Sequence, residues 1–512
     1  MPVNALPNDI DTLKRMLVSR DETIEKLLAE IARLKRWQYG RSSERMNELI
    51  GQLQLALGDL PEVVGKPSTV DTPVNPAAHT QPMARVSALR RTPRALPTHL
   101  PRETIVHAPD VCGCPHCGGQ LRMLGQDISE TLDYVPGYFK VHRHVRPKLA
   151  CRACSHIEQV PAPSRPIARG MADAGLLAQV VVAKYADHTP LYRQAQIYCR
   201  AGVQLERATL AAWVRETSRL LAPLSDALGR YVRQAEKIHT DDTPVPVLEP
   251  GRGKTRTGRL WTYVRDDRPA ASRAPPAVWY QYSPDRKSER PQKHLQGFSG
   301  ILQADAYSGY DALYRSGQIV EAGCWAHARR KFYDVFKKED SPIAQEALAR
   351  IGALYGIERQ IRGCAVALRQ SARQQQATGL LASLKAWLDQ VLTTVSAKSE
   401  LAKAIRYTLG HWAALTRYCD DGRIEIDNNT AERSIRPVVL GRRNYLFAGS
   451  DGGGHSAAII YSLISTARLN DVEPFAYLRA VIERIADHPI NQIDELLPWH
   501  LDLQNEKLPK AA

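Results

Sequence analysis

Apolar residues near the start of the chain recur at the spacing of a coiled-coil heptad. They occupy a and d positions at Ile10, Leu13, Leu17, Ile24, Leu27, Ile31 and Leu34. Arg20 interrupts the series, and charged residues lie between its members. The pattern predicts a short coiled coil through which chains associate; an amphipathic helix packed on its own chain is the alternative. We place this element, with the basic stretch YGRSSERM that follows it, in residues 1–57.

The pattern changes twice before the middle of the chain. Prolines recur and periodicity disappears over residues 58–101, which predicts a linker. Apolar spacing is helical over 166–234, where LYRQAQIYCRAGVQLERATLAAWV predicts a helix, a glycine-containing turn and a second helix from Glu206 or Thr209. Such a helix-turn-helix-like region can place its second helix in the major groove of DNA. A purely structural helical hairpin is the alternative.

Five short apolar or aromatic segments follow, each typical of a strand. They are KIHTDDTPVPVL, GRLWTYVRDD, AVWYQYSPDR, GILQADAYSGY and QIVEAGCW, and helical segments follow the fourth and the fifth. Three antiparallel strands, then strand, helix, strand and helix, is the order of a ribonuclease H-like sheet. We predict a multidomain α/β protein with this core over 235–470, an all-helical insertion at about 328–420 and a helical tail over 471–512.

One stretch near the end of this core, DGRIEIDNNTAERSIRP, combines a strand pattern with a helix start. Residues 423–426 alternate like a strand, and the four polar residues after them can each cap a helix. Glu432 then falls in the first turns of the predicted helix. It could be a surface acid paired with Arg436, worth a few tenths of a kcal/mol, or a member of a catalytic set.

Composition narrows the possible partners. The 512 residues hold 69 basic and 54 acidic residues, a net charge of +15, which favours a polyanionic partner such as nucleic acid; a generally basic protein is the alternative. No apolar run approaches the roughly 18–20 residues needed to cross a bilayer, and the first residues lack the apolar segment of a signal peptide. We therefore expect a cytoplasmic protein without a membrane partner.

Two cysteine pairs indicate a metal centre. Cys114 and Cys117 form one CxxC knuckle, Cys151 and Cys154 form another, and the segment between them alternates like strands. Two such knuckles converging on one tetrahedral ion describe a zinc ribbon-like module, which we place in 102–165. Cys112 could replace Cys114 as a ligand. Six basic residues crowd the predicted hairpin and could contact phosphates or form a solvated face; they are Lys140, His142, Arg143, His144, Arg146 and Lys148.

Carboxylates on the predicted core suggest a second kind of metal chemistry. Asp241 and Asp242 lie on its first strand, Asp305 ends its fourth strand, and Glu432 begins its last helix. Three converging carboxylates suit two Mg²⁺ ions, which can activate a water or hydroxyl and stabilise the leaving oxygen of a phosphodiester. A chain with 54 acidic residues contains many such triples, so spacing alone does not decide the matter.

Several long motifs, in order, resemble transposases of the insertion-sequence-66 family. They include YGRSSER, AKYADHTPLYRQAQIY, HTDDTPVPVL, CWAHARRKF, IDNNTAERSIRPVVLGRRNYLFAGSDGGG and DELLPWHL. The resemblance implies that Asp241, Asp305 and Glu432 are the catalytic acids. The family usually has Glu where this chain has Asp242, so Asp242 is the alternative ligand; strand alternation lets only one of Asp241 and Asp242 face the site.

The resemblance also implies an activity and partners. The expected enzyme cleaves the ends of a bacterial insertion sequence and joins the freed 3′-hydroxyl to target DNA, with Mg²⁺ or Mn²⁺ at the acids and structural Zn²⁺ in the ribbon. It would bind double-stranded DNA at the nucleoid, self-associate through the coiled coil and work with accessory proteins encoded by the same element. Independently of the resemblance, the residues that could contact DNA are His327, Arg330, Arg433, Arg436, Arg442 and Arg443; for His327, a structural histidine at a helix start is the alternative. A non-catalytic DNA-binding relic and a ribonuclease H-like nuclease without strand transfer are the alternatives.

Overall fold

The computed structural model describes residues 96–501, except 99, 109–116, 118–120, 136, 155 and 252. The predicted coiled coil and almost all of the predicted linker therefore lie outside the described residues. None of the described helices is both long and apolar enough to cross a bilayer.

The first sheet is built around a long hairpin. Its strands are β1 (Arg102–Val106), β2 (Leu121–Val135), β3 (Tyr138–Cys151) and β4 (Ile157–Glu158). Strands β2 and β3 pair antiparallel from Val135 opposite Tyr138 to Leu121 opposite Cys151, and β1 runs parallel to β3 on its other side. The hairpin turn includes Gly137 at φ 107°, a backbone conformation that glycine adopts without steric cost. The strand predicted between the cysteine pairs is present as β3.

Three helices connect the two sheets. They are α1 (Ala174–Tyr185), α2 (Leu191–Arg200) and α3 (Arg207–Arg233). The turn between α2 and α3 includes Gly202 at φ 83°, and α3 begins between the two predicted starts. Buried residues recur along one face of α3 from Leu210 to Val232, and the first two residues of the helix, Arg207 and Ala208, are exposed.

The second sheet has five strands at the five predicted segments. They are β5 (Lys237–Val247), β6 (Arg256–Arg265), β7 (Ala277–Ser283), β8 (Gly300–Gln303) and β9 (Ile319–Ala322). Their spatial order is β7-β6-β5-β8-β9. Strands β5, β6 and β7 pair antiparallel, whereas β8 is parallel to both β5 and β9. The five strands form where the sequence predicts them, and the first three pair antiparallel as expected.

Helices fill the rest of the chain. After β7 come α4 (Glu289–His294), α5 (Asp311–Tyr314), α6 (Trp325–Glu339), α7 (Pro342–Ile361), α8 (Val366–Thr394), α9 (Glu400–Gly410), α10 (Trp412–Thr416), α11 (Asn429–Gly441), α12 (Asp451–Leu469) and α13 (Pro474–Arg484). Helix α12 covers the outer strand β7, where Ser462 and Thr466 accept hydrogen bonds from the amides of Tyr280 and Val278. The edge strand is thereby protected from pairing with another chain.

Two hydrophobic cores lie on either side of the parallel strands. One joins the first sheet, α1, α3, the antiparallel strands and the C-terminal helices, through residues such as Leu132, Leu177, Trp261 and Leu478. The other belongs to the predicted helical insertion and includes Trp325, with α6 to α10 packed together. The domain boundaries given above remain predictions.

The strand expected at residues 423–426 is not formed. The segment is a series of turns. Its backbone groups form hydrogen bonds with side chains and with the start of a helix, and not with a neighbouring strand. The side-chain oxygen of Gln303 accepts the Glu425 backbone N–H, and its side-chain NH₂ donates to the Glu425 carbonyl. The Trp325 backbone N–H donates to the Ile426 carbonyl. The alternation reflects Ile424 and Ile426 entering the core of the insertion.

Candidate active site and metal centre

Strand register brings the two predicted aspartates to neighbouring positions. Parallel pairing of β5 with β8 matches Lys237 to Ile301 and His239 to Gln303. The same register, continued two residues beyond the last pair, places Asp305 beside Asp241. Both aspartates thus lie at the centre of the sheet, just beyond the point where the parallel pairing of β5 and β8 ends.

Asp241 and Asp242 have different surroundings. The side chain of Asp242 is 1% exposed and is held by Arg259 at 3.0 Å and Arg286 at 2.7 Å. The Asp241 carboxylate accepts only the Asp242 amide among the described hydrogen bonds, at 2.7 Å. The Asp242 carboxylate is therefore paired with two guanidinium groups of the protein, while the Asp241 carboxylate is available to another partner.

A buried asparagine fixes the start of α11 against the central strand. Asn428 is fully buried; its side-chain amide donates to the Thr240 carbonyl at 2.8 Å, and its Oδ1 lies 3.0 Å from His239 Nδ1. Its backbone N–H donates to Cys324 Sγ at 3.1 Å. Since Glu432 lies one turn along α11, these bonds set its position relative to Asp241 and Asp305.

The three carboxylates influence one another electrostatically. Burial, reinforced by the charge of Asp305 and more weakly by Asp242 and Glu432, raises the pKa of Asp241 to about 7. Burial also raises the pKa of Asp305, against the opposing charges of His327 and Arg286. A site that disfavours its own negative charge fits a divalent cation, which would stabilise the ionised carboxylates.

Glu432 lies near two basic side chains, those of His327 and Arg330, on the first helix of the insertion. Its Oε1 lies 3.8 Å from His327 Nε2, and its Oε2 lies 3.8 Å from Arg330. Its Oε1 is buried and has no hydrogen-bond partner in the described part of the chain. The ion pairs of Glu432 within this part are with His327 and Arg330, so the surface pair with Arg436 is not the one formed.

Three of the predicted zinc ligands lie together at the end of the first sheet. Cys117 Sγ is 3.5 Å from Cys151 Sγ and 3.4 Å from Cys154 Sγ. Backbone N–H groups of residues 153 and 154 lower the pKa of Cys151 to about 6. Tetrahedral zinc with Zn–S bonds of about 2.3 Å requires sulfurs nearly this close. Cys114 and its alternative Cys112 lie outside the described residues.

Family profiles match most of the chain. The profile described as "Transposase IS66 family" matches residues 169–456, and the "IS66 C-terminal element" matches 462–499. The "zinc-finger binding domain of transposase IS66" matches 112–155, and "Transposase C of IS166 homeodomain" matches 26–105. The chain belongs to the IS66 transposase family.

Similar proteins span nearly the whole chain. "Uncharacterized protein y4jD" of Sinorhizobium fredii (strain NBRC 101917 / NGR234) is 41% identical over 508 residues, 97% of this chain and 97% of its own. "Uncharacterized protein y4hP" from the same strain is 40% identical to this chain over 496 residues, 93% of this chain and 88% of its own. "Uncharacterized protein YuaK" of Escherichia coli (strain K12) is 49% identical over 49 residues, 10% of this chain and 52% of its own.

The predicted DNA contacts of this IS66 transposase-family protein fall into separate places. His327 and Arg330 lie beside Glu432, and Arg436 and Arg443 are exposed. Arg433 instead lines a cavity of about 570 Å³ with Arg268, Arg362 and Arg468. The Arg442 side chain donates to the Pro244 carbonyl at the far end of β5.

The predicted basic face of the zinc-finger hairpin is largely neutralised within the protein. Lys140 pairs with Glu103 at 3.0 Å, and His142 pairs with Asp173 at 2.7 Å. Arg146 and Lys148 both contact Asp127, at 3.6 and 2.8 Å. These pairs support the sheet and its junction with α1 more directly than they support a phosphate-binding face.

Sequence reasoning missed the residues that support the site. Arg259 and Arg286 hold Asp242, and Asn428 ties α11 to β5. Each lies in a segment whose motif was recognised, but a single sequence does not reveal that these side chains meet.

The cysteine cluster gives a direct prediction about metal content. Cys117→Ser is expected to lower tightly held zinc by one ion per chain, because a hydroxyl is a poor substitute for a thiolate ligand. Cys199→Ser, at an exposed position on α2, serves as the control and should leave zinc unchanged. Elemental analysis after dialysis against a weak chelator makes the measurement. Equal zinc in Cys117→Ser and the unaltered protein would contradict the ligand role of Cys117.

Proposed function

We propose that the protein is a transposase that cleaves the ends of an insertion sequence and joins them to target DNA at a ribonuclease H-like site. Asp241, Asp305 and Glu432 are its catalytic acids, acting with Mg²⁺ or Mn²⁺. The observation that carries the proposal is the convergence of two aspartates in register at the sheet centre with a glutamate from a helix tied to the same strand.

The three carboxylates would hold the cations through oxygen atoms, the ligands that Mg²⁺ prefers. When bound, the two cations supply activation of the attacking water or 3′-hydroxyl and stabilisation of the leaving oxygen. The protein's own residues orient the reaction. His327 and Arg330, beside Glu432, are placed to contact the scissile strand, and Asp242 with Arg259 and Arg286 keeps β5 and its neighbours fixed.

Other parts of the chain would bring DNA to this site. We propose that the zinc-finger module, with Cys114, Cys117, Cys151 and Cys154 as zinc ligands, and the exposed first turn of α3 bind the element ends. The arginines Arg433, Arg436, Arg442 and Arg443 would hold the backbone of flanking DNA. The N-terminal coiled coil would pair two chains so that two ends are held together at the nucleoid, with element-encoded accessory proteins as further partners.

The test compares the unaltered protein with Glu432→Gln on linear DNA that carries an element end, with a target plasmid and Mg²⁺. Glu432→Gln should lower cleavage at least about a hundredfold while end binding stays within about threefold, because the amide keeps the size but removes the ligand charge. Arg436→Gln is the control on the same helix, and it should weaken binding modestly while retaining chemistry.

The products separate the alternatives. Joined product from the unaltered protein identifies a transposase, whereas cleavage without joining identifies a nuclease. Binding without chemistry, even after the element's other proteins are added, identifies a DNA-binding relic. Near-normal cleavage by Glu432→Gln would refute the assignment of Glu432.

A further inference from the structure

A second set of metal-binding side chains overlaps the acidic site. Cys324 lies immediately before α6, His327 lies in its first turn, and Glu432 lies in the first turn of α11. One ligand atom from each of these residues lies within 4.8 Å of the others. The set shares Glu432 with the proposed catalytic acids but adds a sulfur and an imidazole nitrogen.

The ligand atoms of this set are poorly satisfied by the rest of the protein. His327 Nδ1 and Glu432 Oε1 are buried without a hydrogen-bond partner among the described residues, and His327 Nε2 lies 3.8 Å from Glu432 Oε1. Cys324 Sγ accepts the backbone N–H of Asn428, the kind of outer contact that orients a sulfur ligand. Unsatisfied buried polar atoms are uncommon in folded proteins and call for a partner.

The chemistry of the three ligands selects a different cation from Mg²⁺. Sulfur and imidazole ligands suit zinc and related ions, whereas Mg²⁺ prefers oxygen ligands and octahedral geometry. Zinc bonds of about 2.0–2.3 Å place neighbouring ligand atoms roughly 3.3–3.8 Å apart. The cluster needs only a small closure to reach that spacing. His327 and Glu432 are 24% and 30% exposed, so solvent reaches one side of the cluster.

We propose that Cys324, His327 and Glu432 form an inhibitory site for a thiophilic divalent cation such as Zn²⁺. A cation bound there would occupy the Glu432 carboxylate and withdraw it from the Mg²⁺ site. On binding, the Cys324 thiol gives its proton to solvent as the sulfur–metal bond forms, and His327 binds through a neutral ring nitrogen. The site itself stands on the geometry above, but its inhibitory effect rests on the proposed function of Glu432.

Cation binding is tested on the full-length protein with Co²⁺ as the probe. Titration is followed by thiolate-to-metal charge-transfer absorption and by counting bound ions after gel filtration. The unaltered protein should bind one more Co²⁺ per chain than Cys324→Ser. The serine hydroxyl can still accept the Asn428 N–H, so the start of α11 keeps its hydrogen bond. Cys419→Ser, at a buried cysteine within the insertion core, is the matched control and should bind as many ions as the unaltered protein.

His327→Gln provides a second variant that does not depend on the fate of the buried cysteine. It should weaken binding of the additional Co²⁺ at least about tenfold and leave binding of the ion at the zinc-finger cysteines unchanged. Equal numbers and affinities of bound Co²⁺ in the unaltered protein, Cys324→Ser and His327→Gln would overturn the site.

Inhibition is measured separately, as the ratio of cleavage with and without micromolar Zn²⁺ at fixed Mg²⁺ within each protein. Zn²⁺ should lower cleavage at least tenfold in the unaltered protein and in Cys419→Ser, and less than threefold in Cys324→Ser. Equal inhibition of all three would overturn the inhibitory role. If no protein cleaves DNA even with the element's other proteins added, the proposed function fails, while the Co²⁺ stoichiometry still decides whether the cation site exists.

Discussion

Asp241→Asn is expected to lower Mg²⁺-dependent cleavage of end DNA by at least about a thousandfold, or about 4 kcal/mol of barrier. Asp242→Asn should retain cleavage within about tenfold at a temperature where it is folded. The difference follows from their partners, because Asp242 is held by Arg259 and Arg286 whereas Asp241 has no cationic partner among its described ion pairs. Cleavage rates of both variants at saturating Mg²⁺ make the comparison. The reverse order would transfer the ligand role to Asp242.

The same two variants should change stability in opposite directions. Because the folded pKa of Asp241 is about 7 and its unfolded value is about 4, ionisation in the metal-free protein costs stability as pH rises from about 4 to 7. Asp241→Asn removes that cost, so its gain should be largest above pH 7, on the order of 2–4 kcal/mol, and vanish near pH 4. Asp242→Asn should lose roughly 3 kcal/mol by breaking a buried ion pair. Urea unfolding at pH 8 and pH 5, without metal, measures both; equal stability of Asp241→Asn and the unaltered protein at pH 8 would contradict the raised pKa of Asp241.

Arg373→Met is expected to destabilise the helical insertion by about 3–5 kcal/mol, the second large effect. Arg373 is fully buried, forms a two-bond pair with Glu358 at 2.7 Å each and donates to the Tyr418 carbonyl at 2.8 Å. Methionine fills much of the space but leaves the buried Glu358 carboxylate with only the more distant Arg369, at 3.8 Å, as a cationic partner. Arg369 in the same cluster pairs with Glu425, just before α11, so damage here should also reach the active site.

Lys385→Met is the matched control for this prediction. Lys385 pairs with Asp389 one helical turn away on the exposed surface of α8, and such pairs contribute about 0.3–0.5 kcal/mol. Its unfolding free energy should therefore change by less than about 1 kcal/mol. Urea unfolding followed by circular dichroism distinguishes the two. Similar small losses in both variants would show that the buried pair does not hold the insertion together.

The sequence predicts the second sheet well because its signals are local. Each of β5 to β9 is an apolar or aromatic segment, and the adjacency of Asp241 and Asp305 follows once the parallel register is known. The start of α11 was also predicted, from the polar residues that precede it, although Asn428 at the N-cap position bonds β5 with its side chain instead of capping the helix. The failure at residues 423–426 has a different origin. Alternation there reports two isoleucines entering a core, and no local signal says that Gln303 takes the place of a partner strand.

Long-range pairings account for what sequence reasoning missed. The alternative role for Glu432 was a surface pair with Arg436 one turn away, but Glu432 meets His327 and Arg330 from a helix about a hundred residues earlier. The basic residues of β3 looked like a phosphate-binding face, yet acids on β1, β2 and α1 neutralise four of them. Arg433 was expected to contact DNA, and it lines a cavity shared with three other arginines. Charge pattern identifies candidates, but only tertiary packing decides their partners.

The most direct test of the central claim, that Asp241, Asp305 and Glu432 hold the catalytic cations, is a change in metal preference. Asp305→Cys should cleave end DNA at least about a hundredfold more slowly than the unaltered protein in Mg²⁺, because Mg²⁺ binds thiolates poorly. In Mn²⁺, which accepts softer ligands more readily, it should recover to within about tenfold. Cleavage by Asp305→Cys in Mg²⁺ at the rate of the unaltered protein would contradict a metal-binding role for Asp305 and the site built around it.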